Sequence, residues 1–219
     1  MNIFKNFSAV ALVAVISSLA FMNSCTKASE SANNKPIKEG KIGATSFLLI
    51  SDSGLSLTDT WIQGSGSALA KDPIGEIKSD KNIEISFNLD EGGSVTLSAF
   101  GSKKNESGVA FSFLRKDKVL TVIVEAAGKN SNISKNFMAF DASNEVSLIV
   151  DVHNGESPAH LLVWKGGTEN PTETNALFNS KKAGDGESPG NGTGTFWGLN
   201  LSNAAVKTAS IAEAKFDHE

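Results

Sequence analysis

The sequence predicts an all-β protein, an antiparallel sandwich of two sheets, on three observations. From Gly43 onward the apolar residues recur at every second position in short runs, the spacing of strands that bury one face. Those runs are separated by clusters rich in Gly, Asn, Asp, Ser and Lys, at intervals that suit a sandwich or barrel. No long segment carries an apolar stripe of period 3.6, and the chain's single cysteine, Cys25, leaves no internal disulfide to replace a packed core.

The elements follow in order. Lys5 precedes an apolar stretch from Val10 to Phe21 that is too short to span a membrane, so residues 1–24 are expected to be a secretory signal peptide. Residues 26–40, TKASESANNKPIKEG, are polar and contain Pro36 and Gly40, so the chain from Cys25 through residue 42 is expected to be a flexible tether. A single domain over residues 43–219 follows, long enough to bury a substantial core.

Within that domain SFLLI (46–50) and LSLTDTWIQ (55–63) read as the first strands. In IEISFNL (83–89), Ile83, Ile85, Phe87 and Leu89 share one face, while Glu84, Ser86 and Asn88 share the other. SVTLSAF (94–100) follows, and Asp90-Glu91-Gly92-Gly93 between the two predicts a hairpin because glycine accepts positive φ. A second hairpin is expected where GVAFSFL (108–114) passes through Arg115-Lys116-Asp117-Lys118 into VLTVIVEA (119–126). The remaining strands are NFMAFD (136–141), EVSLIVDVH (145–153), HLLVW (160–164), TFWGLNL (195–201) and VKTASIAEAKF (206–216), with a weak one at Ala176-Leu177-Phe178. Residues 166–194 otherwise read as long loops, and their glycines lack the lysine and strand-to-helix setting of a phosphate cradle.

A formal net charge of −4 without a basic patch disfavours nucleic acid and direct binding to anionic lipid. Met22-Asn23-Ser24-Cys25 resembles the lipobox of bacterial lipoproteins. That resemblance implies lipidation at Cys25, and acyl chains contribute about 0.8 kcal/mol per buried methylene. Thr26 stands where such lipoproteins carry an aspartate for inner-membrane retention, so the outer membrane, facing the periplasm or the cell surface, is the expected address.

The strand order carried by ISFNLDEGGSVTLSAF, GVAFSFLRKDKVLTVIVEAAG, VSLIVDVHNGESPAHLLVW and TFWGLNLSNAAVKTASIAEAKF resembles the concanavalin A-like lectin/glucanase domain, which includes laminin-G-like modules. The resemblance implies a jelly-roll sandwich over most of residues 43–216 and carbohydrate as the ligand. Hydrolases of that family carry paired acids in patterns such as ExDxxE, which this sequence lacks. Glu84 with Asp90, and Glu145 with Asp151, fall about 20 Å apart along a strand, beyond the roughly 5–10 Å of glycoside hydrolysis.

The stretch EVSLIVDVHNGESPAHLLVWKGG carries the candidate site. If 145–153 and 160–164 pair so that His153 faces His160, then Asp151 faces Leu162 and Ile149 faces Trp164 on one face of the sheet. Asp151, His153, Asn154, His160 and Trp164 would then form a ligand-binding cluster: the indole is a flat platform for a sugar ring, and the polar groups direct hydrogen bonds. Asp151 and Asn154 with loop carbonyls are also candidate Ca²⁺ ligands, and Asp151 with the two histidines candidate Zn²⁺ ligands. The competing reading makes Trp164 a core residue and the turn a solvated hairpin end, and a one-residue slip of register would reverse every face.

Trp61 and Trp197, each beside Gly and polar residues, are further candidate platforms, and His218 belongs to an exposed tail. The function expected is a lipid-anchored, non-catalytic carbohydrate-binding module. The alternatives are a glycan hydrolase or lyase with acids gathered from separate strands, and a structural or adhesive module that binds another envelope protein.

Overall fold

A computed structural model describes residues 38–49, 54–58, 60–75, 80–101, 109–126, 129–139, 145–153, 161–179 and 194–214. The signal peptide, Cys25, the first part of the tether and His218 lie outside them. The described elements are all strands: β1 (Lys38–Ile42), β2 (Thr45–Leu49), β3 (Gly54–Leu57), β4 (Ile62–Ala70), β5 (Asp80–Gly101), β6 (Val109–Lys116), β7 (Val119–Ala126), β8 (Lys129–Ala139), β9 (Glu145–His153), β10 (Leu161–Lys165), β11 (Phe178–Asn179) and β12 (Phe196–Glu213).

They are hydrogen-bonded into one 12-stranded antiparallel sheet, and that sheet folds over on itself. Fully extended, the 22 residues of β5 would span about 70 Å, far longer than a domain of this size allows. The strand bends instead at residues 90–93, and β12 and β4 bend beside it. Beyond the bend, Ser94 to Ala99 pair with β6, and Val95 to Gly101 pair with β12 from Leu201 back to Phe196. Before the bend, Lys81 to Leu89 pair with β12 from Glu213 back to Ala204, while Asp80 to Asn88 pair with β9. One layer therefore runs β1-β2-β4-β12-β5-β6-β7-β8. The other runs from β3 through the opposite halves of β4, β12 and β5 to β9, β10 and β11. Strands that change layer through bulges are how a sandwich turns its corners.

The two inner faces meet in a single core. Ile83, Ile85, Phe87 and Leu89 alternate inward before the bend, and Val95, Leu97 and Ala99 after it, all buried. Phe87 from one layer stacks on Phe113 from the other with ring centroids 5.6 Å apart, and Trp197 meets Phe47 edge-on at 5.5 Å. Trp197 is 2% exposed and donates its indole N–H to the Asp72 carbonyl at 2.9 Å, so it belongs to the core.

The predicted all-β antiparallel sandwich is the fold that forms, with several departures in its elements. Asp90-Glu91-Gly92-Gly93 is a bulge within β5 instead of a hairpin, because both flanking runs pair antiparallel with the same strand, β12. Its glycines are needed all the same: Gly92 has φ 75°, and a Cβ on Gly93 would lie 2.4 Å from the Asn203 carbonyl oxygen. TFWGLNL and VKTASIAEAKF are likewise halves of one strand, β12, kinked at Asn203 with φ 47°. The run 55–63 is two strands joined by a turn in which the Thr58 hydroxyl accepts the backbone N–H of Trp61 at 3.1 Å.

A further departure concerns the tether. Lys38–Ile42 forms β1 on the edge of the sheet, and Ile42 is 1% exposed in the core. The hairpin from β6 into β7 forms as expected, through Asp117 and Lys118 at φ 52° and 62°. No helix among the described residues is long and apolar enough to cross a membrane.

Candidate functional site

β9 and β10 pair in the register expected, with Leu162 opposite Asp151 and Trp164 opposite Ile149. The faces are also as expected: Val146, Leu148, Val150, Leu161 and Val163 enter the main core. The opposite face is buried as well. Ile149, Leu162 and Trp164 form a second apolar cluster against Ala176, and the Trp164 indole N–H donates to the Thr172 carbonyl at 2.8 Å. The segment after β10 thus folds back as a lid, fastened by Asn175, whose side chain donates to the Asn170 carbonyl and accepts the Thr172 N–H.

With no exposed surface, Trp164 presents no ring face to a ligand in solution, which corrects its expected role as a platform. Asp151 is also fully buried, in register with the buried Asn82. His153 ends β9 in register with Asp80, and its side chain, with Asn154 and His160, lies outside the described residues, as do the loop carbonyls of the Ca²⁺ expectation. Among the described residues no three His, Cys, Asp or Glu side chains gather where they could hold a metal ion.

A groove of 460 Å³ opens elsewhere, on the outer face of the second layer where the sheet bends. Trp61, Ser56, Gln63, Asn88, Asp90 and Asn203 line it, beside the backbone of Gly54 and Gly64. Each side chain is placed by a local cause. Ser56 and Gln63 face outward as register partners of the β3–β4 hairpin. Asn88 faces outward because Phe87 and Leu89 on either side are core residues.

Asp90 is turned into the groove by the bulge. Its neighbour Glu91 is drawn the other way, accepting the Asp117 N–H at 2.6 Å and pairing with Arg115, whose guanidinium also donates to the Leu89 carbonyl at 2.7 Å. Asn203 is set at the kink of β12, its backbone N–H donating to the Ser65 hydroxyl at 3.0 Å. The close approach of β3 to β4 here requires glycine, since a Cβ on Gly64 would lie 2.2 Å from the Gly54 carbonyl oxygen.

Trp61 is half-buried and is held from outside the groove lining. The Lys207 ammonium sits 4.7 Å from its ring centroid and pairs with the Glu145 carboxylate. The Asn88 Oδ1 is shielded from solvent yet has no hydrogen-bond partner. The groove therefore offers a flat ring fixed by a cation, with hydroxyl, amide and carboxylate groups around it.

Of the two further tryptophan candidates, Trp61 lines this groove and Trp197 does not. Sequence reading missed the polar partners because they come from four strands, β3, β4, β5 and β12. The available signal was the outward phase of Asn88 and Asp90 in IEISFNLD, which a hairpin at 90–93 would have turned elsewhere.

No family model matches the chain, and no curated protein matches it. Among solved structures it is similar to a carbohydrate-binding module from Bacillus subtilis, at 12% identity and TM-score 0.47, over 74% of this chain and 92% of that one. A legume lectin-like domain from Entamoeba histolytica matches at 10% identity and TM-score 0.41, over 74% and 88%. A family 7 alginate lyase in complex with substrate matches at 12% identity and TM-score 0.42, over 79% and 83%.

Proposed function

We propose that this protein binds carbohydrate without transforming it, in the groove lined by Trp61, and that it is held to the bacterial outer membrane through lipidated Cys25. The observation that carries the binding reading is one half-buried indole, fixed by Lys207, in an open 460 Å³ groove whose other described side chains are hydroxyl, amide and carboxylate groups beside Ala204 and Ala205. An indole face covers the apolar C–H patch of a sugar ring, and amide and carboxylate groups bind its hydroxyls.

Among the described lining residues Asp90 is the only carboxylate, whereas glycoside hydrolysis uses two; this supports binding over turnover. The anchor rests on the signal-like residues 1–24 and Cys25.

The test is a glycan-array screen of the full chain in detergent beside Trp61→Ala. Binding to at least one glycan is expected, with affinity falling at least about tenfold in the variant, as for loss of a stacking platform. Binding that survives Trp61→Ala places the ligand elsewhere. Replacing Cys25 with Ser should move the chain from the membrane fraction to the aqueous one, and an unchanged fraction removes the lipid anchor from the reading.

A further inference from the structure

The charge around the groove narrows the ligand class. Among the described residues Asp90 on β5 lines the groove, while Lys207 on β12, over the Trp61 ring, and its partner Glu145 on β9 lie outside the lining. Lys207 is committed twice, to the Glu145 carboxylate and to the Trp61 ring, so its charge is balanced before any ligand arrives. Arg115, the nearest guanidinium along the bulge, is drawn to Glu91 and the Leu89 carbonyl. Among the described residues the lining contains no Lys or Arg, and Asp90 is its one charged side chain. Sugar carboxylates and sulfates are recognised by basic side chains that repay their desolvation. Here such a group would meet an exposed acid and no basic side chain among the described lining residues.

Resting on the carbohydrate reading above, we infer that the groove selects uncharged and amino sugars and rejects uronic and sulfated ones, with Asp90 as the specificity-determining residue. An uncharged sugar meets Asp90 as a hydrogen-bond acceptor for its hydroxyls. An ammonium group on an amino sugar gains a charge-assisted bond to the same carboxylate. Trp61 and Asn88 contribute to either ligand alike.

The experiment measures binding of the full chain in detergent to three probes of equal length: a neutral glucan hexamer, a chitosan hexamer and an oligogalacturonate hexamer. Each is run at low and high salt for the native chain, Asp90→Asn and Trp61→Ala. The native chain is expected to bind the chitosan probe most tightly at low salt, with that advantage shrinking at high salt. The uronate probe should bind about fivefold more weakly than the neutral one at low salt, on the order of one unit-charge contact in water. Asp90→Asn should narrow both differences, and Trp61→Ala should weaken all binding.

Uronate binding as tight as neutral binding, and dependent on Trp61, would overturn the charge selection while leaving the carbohydrate reading in place. Discrimination that persists in Asp90→Asn also overturns it. Binding of no probe, on this panel and on the array, removes the carbohydrate reading and the selection with it.

Discussion

Trp61 and Trp164 carry the same side chain and have opposite consequences, because their surroundings differ. Trp164 is sealed between Ile149, Leu162 and the segment around Ala176, with its one polar atom bonded to the Thr172 carbonyl. Its replacement by Ala leaves a large cavity and strands that carbonyl. A loss of about 3–5 kcal/mol in unfolding free energy is expected by urea titration. Trp61 is only partly buried, so Trp61→Ala should cost less stability than Trp164→Ala while weakening ligand binding at least about tenfold. Equal destabilisation by the two substitutions would show that Trp61 is structural. Neither environment can be read from sequence, since each tryptophan sits at a strand end beside polar residues and glycine. The difference arises from a segment, 166–177, that packs over one of them.

At the scale of elements, the bend is where local signals and long-range pairing part. Asp90-Glu91-Gly92-Gly93 between two alternating runs has the sequence form of a hairpin and also of a bulge in one long strand, and only the identity of the paired strand separates them. Here that strand is β12, more than a hundred residues later in the chain, so the distinction was not legible. Where pairing is local the reading succeeded: the β6–β7 hairpin and the β9–β10 register are both as expected. β4 was missed because GSGSALA hides its alternation behind glycine and serine, although Ala68 and Ala70 are buried. β1 was missed for its polarity, only Ile42 of its five residues being buried. The candidate groove inherited these errors, since it lies on the bend.

The two glycines of the bulge have different sensitivities. Gly93→Ala puts a methyl 2.4 Å from the Asn203 carbonyl oxygen and 2.9 Å from that of Asp90, backbone atoms that cannot yield without parting the strands. Its cost should be about 1–3 kcal/mol, with weakened ligand binding because Asp90 and Asn203 both move. Gly92→Ala meets open space and loses only its ease at φ 75°, about 1 kcal/mol. Thermal unfolding should therefore rank Gly93→Ala as the more damaging, and the reverse order would dissociate the bulge from the packing of β5 on β12.

Across the whole molecule the core is continuous, with residues of both layers in one buried cluster. Lys81 and Glu213, separated by 132 positions, are ion-paired where β5 and β12 run together. Each layer includes half of β5 and half of β12, so neither has a complete set of strands of its own. Unfolding monitored by tryptophan fluorescence and by far-ultraviolet circular dichroism is expected to follow one transition in urea. Two separated transitions would mean that the layers are independent.

The bent strands also govern the order of events as the chain is made. β12 lies between β4 and β5 in the sheet, yet among the described strands it emerges after all the others during synthesis or export. Until it arrives, hairpins such as β6–β7 can form, but β4 and β5 expose edges facing a gap one strand wide, and loop closure of such long range is slow. A nascent chain of this topology is therefore a waiting state with two open edges, and it depends on being kept apart from its own copies until the final strand slots in.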